Sequence, residues 1–239
     1  MRRIHVPRAR IEGDRARLGP AEWHYLRDVL RLAAGAPLEV FDGEGGVHDA
    51  VIPAQGGALV LGPRREAPAP GATVWLAFAP PRGDRADLVV QKATELGVSR
   101  LVPFEAERSV VRLDEQRGAA RAGRWRRIAA EAARQCGRAD VPEVSAPGRL
   151  SAALAAAPAS YRIVAFHEGG GEPLAGALDP AAPGHLAVVG PEGGFTGAEV
   201  EVCLAAGARL ATLGPRILRA ETAALAAAAL LQHRLGDLG

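Results

Sequence analysis

The stretch from His185 to Thr196, HLAVVGPEGGFT, constrains the fold of this chain more than any other segment. Its apolar run, Leu186 to Val189, is typical of a buried strand. The glycine-rich turn that follows leads to Thr196 and, three residues on, Glu199, which together predict a capping box at the start of a helix. A strand that passes through glycines into a helix is how α/β proteins present backbone amides to a small ligand. A tight turn with a purely structural role is the alternative for this segment taken alone.

The composition of the turn narrows the class of ligand. The turn contains no lysine and matches neither G-x-x-x-x-G-K-[ST] nor G-x-G-x-x-G, which argues against a nucleoside triphosphate or a dinucleotide. Glu192 lies in the middle of it, and a carboxylate there repels a pyrophosphate. The turn therefore favours a ligand that carries hydroxyls or positive charge.

The rest of the chain divides by pattern into two regions. Residues 1–63 are predicted to form a small β-rich unit with one helix, Pro20 to Leu32, and residues 64–72, rich in Pro and Ala, are predicted to be a linker. From Thr73 onward, strands alternate with helices, which predicts an α/β domain with a mostly parallel sheet covered on both faces. The predicted helices there include Asp114 to Gln135, one capped by Ser151, and Glu221 to Leu235.

Composition argues against several classes of protein. No apolar run reaches the roughly 20 residues of a membrane span, and the opening residues lack the apolar stretch of a signal peptide. Cys136 and Cys203 match no metal-ligand spacing. We therefore expect a cytoplasmic protein without a metal or a membrane partner.

The positive charge is concentrated rather than large. The net charge is only +2, yet the segment from Arg117 to Arg138 contains seven arginines and one acid, Glu131. Arginine suits bidentate contact with phosphate, so this cluster indicates a surface that contacts phosphate. The alternative for each arginine, there and in the first region, is a solvated surface charge.

A second glycine-containing turn, Leu213 to Thr222 (LGPRILRAET), follows another predicted strand. It places polar side chains at the start of the last helix, where free backbone amides bind ligands. Simple capping of that helix and an ion pair between Arg219 and Glu221 are the alternatives. A third turn, HEGGG from His167, also follows a strand, and we interpret His167 and Glu168 as polar loop residues.

The two motifs GPEGGF, at Gly190 to Phe195, and LGPRILRAETAAL, at Leu213 to Leu225, closely resemble the RsmE family in order and spacing. Those enzymes are uridine N3-methyltransferases of 16S ribosomal RNA in the SPOUT superfamily. QKATELGV at Gln91 to Val98 and EAARQCGR at Glu131 to Arg138 are similar to further family segments. HYLRDVLR at His24 to Arg31 is a weaker match, and the resemblance covers nearly the whole chain.

The resemblance implies a fold that periodicity does not predict. Residues 1–70 would form a PUA-like RNA-binding β-barrel, and residues 71–239 a SPOUT methyltransferase domain whose parallel sheet ends in a C-terminal trefoil knot. The cofactor would be S-adenosylmethionine, and the partners 16S rRNA or the small ribosomal subunit and a second copy of the chain. Rival interpretations are a SPOUT enzyme acting on another RNA base or a ribose 2′-hydroxyl, a nucleotide-binding oxidoreductase, and a non-enzymatic RNA-binding protein.

The resemblance also implies roles for individual residues. The RNA-binding residues would be Arg8, Arg10, Arg27, Arg31, Arg134 and Arg138. Arg219 would stabilise negative charge on the uracil, and Glu221 is the nearest candidate base. The predicted cofactor-binding residues are Gly190, Glu192, Gly193, Gly194, Leu213, Gly214, Leu218 and Thr222.

Overall fold

The computed structural model describes residues 2–54, 57–68, 71–109 and 115–239. Its contacts divide the chain into two compact units. The first consists of Met1–Ala69 and Ala133–Val141, and the second of Pro70–Ala132 and Pro142–Gly239. The segment Ala133–Val141 belongs to the first unit, where the Val141 amide donates to the Gly43 carbonyl at 2.9 Å. The boundary predicted from the sequence, at residue 70, places that segment in the second region.

The first unit is built on a mostly antiparallel sheet with the order β1-β4-β5-β6-β3-β2, in which β7 pairs with β5. The pair β1–β4 is parallel. Alternate residues of the strands, such as Ile4, Leu38, Val40 and Leu59, are buried and form one apolar core. The strands are β1 Arg3–His5, β2 Ile11–Glu12, β3 Arg15–Arg17, β4 Pro37–Phe41, β5 Gly46–Val51, β6 Ala58–Leu61 and β7 Arg65–Glu66.

The strand β7 corrects the predicted linker at residues 64–72. Arg65–Glu66 pairs with β5, and the Arg64 Nε atom donates to the buried Asp42 carboxylate at 2.8 Å. The beginning of the segment is therefore part of the first sheet, since its charged residues have partners there. Residues 69 and 70 lie outside the described residues.

The single helix predicted for Pro20 to Leu32 is also wrong in detail. A short α-helix, α1 Pro20–His24, passes into a wider π-helical turn over Tyr25–Val29. The Leu30 amide donates to the Tyr25 carbonyl at 2.9 Å, and Arg31 has a positive φ of 51°. The wider turn places Leu26 fully in the core, and the left-handed Arg31 then ends the helix.

The second unit is an α/β domain with a parallel sheet, as the alternating pattern predicts. The sheet order is β10-β9-β8-β14-β12-β15-β13, and β11 pairs with β9. The strand β14 lies at the centre, paired in parallel with β8 and β12. The strands are β8 Thr73–Phe78, β9 Arg100–Glu105, β10 Glu143–Val144, β11 Gly148–Arg149, β12 Arg162–Phe166, β13 Glu172–Pro173, β14 Gly184–Val189 and β15 Arg209–Thr212.

The helices of the second region pack apolar faces on this sheet. One core cluster joins Phe104, Leu154, Leu186 and Cys203. Ser151 is not a cap, because its helix begins one residue earlier, after Arg149. The predicted helix start at Asp114 lies outside the described residues. The helices are α2 Arg85–Glu95, α3 Glu115–Cys136, α4 Leu150–Ala155, α5 Leu174–Ala177, α6 Gly197–Ala205 and α7 Ala220–Leu235.

His185, on the central strand β14, is expected to make stability depend on pH. The side chain is fully buried, its Nε2 atom accepts from the Asp179 amide at 3.2 Å, and burial holds its pKa below the ordinary value of 6.5. The unfolded chain therefore takes up a proton at a higher pH than the folded one. Stability from this residue is present above about pH 6.5 and is lost as the pH falls through the lowered folded pKa.

Urea unfolding at a series of pH values checks this expectation. His185→Gln should lose less stability than the wild type between about pH 7 and about pH 5. The matched control is His233→Gln, because His233 is exposed on α7. An identical pH slope in the wild type and His185→Gln would contradict the assignment.

Candidate active site

The carboxyl ends of β8, β12, β14 and β15 meet at one edge of the second unit's sheet, because these strands are parallel. The turns that follow β12, β14 and β15 are the glycine-containing turns that begin at His167, Gly190 and Leu213. Ligands of open α/β sheets bind outside the carboxyl ends of the strands. This edge is therefore where a site is expected.

The turn after β14, from Gly190 to Phe195, has the compact conformation that its glycines predict. Gly190 is buried, and a Cβ atom there would lie 3.2 Å from the Phe195 ring. Gly194 has a φ of +69°, and a Cβ atom there would collide with the Glu168 carboxylate. Gly190 therefore lets the turn pack closely on the Phe195 ring, and Gly194 supplies the left-handed backbone that favours glycine.

The helix after this turn begins as predicted. The Thr196 hydroxyl accepts from the Glu199 amide at 3.3 Å, and the Glu199 carboxylate accepts from the Thr196 amide at 2.9 Å, so the capping box is confirmed. The other carboxylate oxygen of Glu199 accepts from the Glu107 amide at 2.8 Å. Glu199 is buried and so connects the start of α6 to the loop after β9.

Replacement of Glu199 with alanine is expected to lower the free energy of unfolding by about 2 kcal/mol, since it removes one half of the capping box and leaves the Thr196 and Glu107 amides without their acceptor. Urea denaturation measures the loss. The control is Glu201→Ala on the same helix, where the side chain is exposed and a change within about 0.5 kcal/mol is expected. Equal stability of the two variants would contradict the connecting role of Glu199.

A cleft with a volume of about 570 Å³, its open mouth included, lies between the three turns. The turn after β15 forms one side of the cleft, and within it the Thr212 hydroxyl accepts a hydrogen bond from the Gly214 amide at 3.1 Å. The lining residues are Phe166, His167, Glu168, Val189, Gly190, Pro191, Gly194, Phe195, Thr212, Leu213, Gly214, Arg216, Ile217, Leu218, Ala220 and Ala223.

The structure brings five of the eight predicted cofactor-binding residues together in this cleft: Gly190, Gly194, Leu213, Gly214 and Leu218. The other three do not line it. Glu192 is exposed, and one of its oxygens accepts from the Arg82 amide at 3.4 Å. The Gly193 carbonyl accepts from the Arg108 side chain at 2.8 Å, and Thr222 is exposed on α7.

Two cleft residues were interpreted from sequence as ordinary polar loop residues. His167 and Glu168 line the cleft, and the Nδ1 atom of His167 is buried with no hydrogen-bond partner among the described residues. Their position directly after β12, a strand of the same parallel sheet, is the signal that identifies them. A carboxylate and an imidazole thus face the ligand space.

Arg219 and Glu221, the predicted catalytic pair, lie at the start of α7, where Arg219 is the N-cap residue. They do not form the alternative ion pair with each other. A carboxylate oxygen of Glu221 lies 3.6 Å from Arg85 Nε, and its other oxygen is buried with no hydrogen-bond partner in the described part of the chain. Arg219 is exposed, and its neighbour Ala220 lines the cleft.

The predicted RNA-binding arginines of the first unit differ in the contacts that their side chains make. Arg8 and Arg31 are exposed, whereas Arg10 pairs with Glu22 at 2.8 Å. Arg27 lies over the Trp23 ring at 4.5 Å, and Arg134 over the Tyr25 ring at 4.2 Å.

The Arg138 side chain is largely enclosed. Its guanidinium makes two hydrogen bonds to the Asp140 carboxylate, and its side chain is 14% exposed. A phosphate would have to compete with that carboxylate for the guanidinium.

Among residues 2–54, 57–68, 71–109 and 115–239, no group of three or more His, Cys, Asp or Glu side chains is arranged to hold a metal ion. Within the same residues, the helices are too short or too polar to cross a membrane.

Comparison with known proteins identifies the family. The profile of the RNA methyltransferase domain matches residues 68–232. A ribosomal RNA small subunit methyltransferase E from Bacillus subtilis is 37% identical over 168 residues, which are 67% of this chain and 66% of that protein. The chain belongs to the ribosomal RNA small subunit methyltransferase E family. The family's enzyme from Synechocystis is 34% identical over 215 residues, 86% of this chain and 69% of its own length.

A solved structure shows the same likeness over the whole chain. It is a family member from Neisseria gonorrhoeae bound to S-adenosyl methionine, with 30% identity, a TM-score of 0.87, and coverage of 100% of both chains. The α/β fold with a parallel sheet is thus shared with a methyltransferase that binds this cofactor.

Proposed function

We propose that this chain transfers the methyl group of S-adenosylmethionine to the N3 atom of a uridine in 16S ribosomal RNA. The observation that carries the proposal is the cleft at the carboxyl edge of the sheet, lined by both motifs that resemble the family. Membership of the ribosomal RNA small subunit methyltransferase E family supports the substrate class, and the cofactor-bound relative supports the cofactor.

The cleft fits S-adenosylmethionine by its chemistry. Gly194 leaves a space that a side chain would fill. The buried Nδ1 atom of His167 has no hydrogen-bond partner among the described residues. The Glu168 carboxylate suits a ligand with hydroxyls and positive charge. We therefore propose that Gly190, Gly194, Leu213, Gly214 and Leu218 hold the cofactor, while roles for Glu192, Gly193 and Thr222 stay predictions.

The bound cofactor supplies an electrophilic methyl group on a positively charged sulfur. Methylation at N3 requires that the N3 proton leaves and that negative charge develops on the uracil carbonyl oxygens. Arg219, exposed beside the cleft, donates hydrogen bonds to that charge. Glu221, which lies 3.6 Å from Arg85 Nε and outside the cleft lining, stays the candidate proton acceptor.

We also propose the finer architecture that the resemblance implies. Residues 1–70 form a PUA-like RNA-binding barrel, and residues 71–239 a SPOUT domain with a C-terminal trefoil knot. The enzyme acts in the cytoplasm as a homodimer. The exposed Ile217, with 82% of its surface accessible beside the cleft, supports a second copy covering this face.

Methyl transfer to RNA that lacks the modification tests the function. Unmodified small ribosomal subunits and naked 16S rRNA are each incubated with the enzyme and isotopically labelled S-adenosylmethionine, and the nucleosides are separated by mass spectrometry. Labelled 3-methyluridine is expected. Label in another base or in a ribose 2′-O-methyl group would instead identify the rival SPOUT activities.

A further inference from the structure

Two side chains of opposite charge line the cleft without pairing with each other. Glu168 belongs to the turn after β12, and Arg216 to the turn after β15. Neither side chain has an ion pair or hydrogen bond within residues 2–54, 57–68, 71–109 and 115–239. Since they share one small cleft, each is available to a charged group of a ligand.

The position of Glu168 is the better defined of the two. Its carboxylate faces the glycine turn, because a Cβ atom on Gly194 would collide with it. Glu168 therefore lies where the turn approaches the ligand, and it brings negative charge to that place. Within the described chain, His167 and Arg216 are the other ionisable side chains in the cleft lining.

A ligand that satisfies both charges carries a cation and an anion. Charged groups of this kind recognise their partners by charge-assisted hydrogen bonds, about twice as strong as neutral ones. Arginine binds a carboxylate with two parallel N–H donors, and a glutamate accepts from an ammonium group. The methionyl end of S-adenosylmethionine has both groups on one carbon atom.

We propose that Glu168 and Arg216 together recognise the zwitterionic methionyl end of the cofactor, Glu168 its ammonium and Arg216 its carboxylate. This pair discriminates S-adenosylmethionine from uncharged adenosine derivatives that fit the same cleft. The inference rests on the proposed function, because it presupposes that this cleft holds the methyl donor.

Calorimetric titration with three ligands tests the pair. S-adenosylmethionine carries the amino and carboxyl groups on a chain attached to a sulfonium, whereas 5′-methylthioadenosine has a neutral thioether sulfur and lacks both groups. Glu168→Gln and Arg216→Gln should each lower the affinity for S-adenosylmethionine by about tenfold or more, as expected for the loss of a hydrogen bond to a charged group. S-adenosylhomocysteine, which has the neutral thioether and both charged groups, should respond to the variants as S-adenosylmethionine does, so that the sulfur charge is not what the pair recognises. Affinity for 5′-methylthioadenosine should change by less than about twofold in both variants.

The controls are Arg82→Gln and Glu107→Gln, which remove the same charges from exposed side chains at the same edge that do not line the cleft. They should bind all three ligands as the wild type does. Unchanged binding of S-adenosylmethionine in Glu168→Gln and Arg216→Gln would overturn the inference, as would an equal loss for S-adenosylmethionine and 5′-methylthioadenosine. A wild-type protein that binds no S-adenosylmethionine would instead refute the proposed function.

Discussion

Replacement of Gly194 with valine is expected to weaken S-adenosylmethionine binding by at least about 100-fold while the protein stays folded. Gly194 has a φ of +69°, which is strained for a β-branched residue, and the new side chain would displace the Glu168 carboxylate. The substitution therefore fills the ligand space and moves a proposed ligand contact at once. Isothermal titration calorimetry measures the affinity, and circular dichroism reports on the fold.

Gly197→Val is the matched control for this prediction. Gly197 is the first residue of α6, three positions later, and a Cβ atom there would meet nothing within 4 Å. The control should bind the cofactor with nearly wild-type affinity. If Gly194→Val bound as tightly as the control, the turn after β14 would not be a wall of the cofactor site.

Replacement of Arg219 with alanine should lower the rate of methyl transfer by about 100-fold or more, while cofactor affinity changes by less than about threefold. The size follows from the removal of a hydrogen-bond donor aimed at charge that develops during the reaction. Arg219 is exposed at the N-cap of α7 and does not line the cleft, so its loss should spare the cofactor. Single-turnover rates on 16S rRNA and calorimetry with S-adenosylmethionine measure the two effects.

Two further variants sharpen this experiment. Arg219→Lys keeps the charge but loses the fork of donors, so partial recovery of the rate is expected. Arg234→Ala, near the other end of α7, removes an equivalent charge and should leave the rate unchanged. Equal losses of rate and cofactor affinity in Arg219→Ala would make Arg219 a binding residue only.

Local patterns in the sequence predict the elements around the site well, because their causes are local. Thr196 and Glu199 are three residues apart, and this spacing alone specifies the capping box that the structure confirms. The apolar run before Gly190 predicts the central strand β14. Strands alternating with helices predict the parallel sheet, since parallel strands require crossover connections.

The sequence does not show which side chains meet when their neighbours are distant along the chain. Glu192, in the glycine turn, does not line the cleft, whereas Glu168, from a different turn, does. Glu221 lies two residues from Arg219 yet is paired with Arg85 of α2. Ser151 is a good capping residue, but its helix begins one residue before it.

The sequence by itself therefore determined the α/β class, the glycine turn and the family, because strand periodicity, capping and motif spacing are properties of neighbouring residues. The tertiary structure alone decided which charges share the cleft. The turns after β12, β14 and β15 begin at residues 167, 190 and 213, and only the parallel order of their strands brings them to one edge of the sheet. The meeting of Glu168, Gly194 and Arg216 is a consequence of that order, which no local pattern encodes.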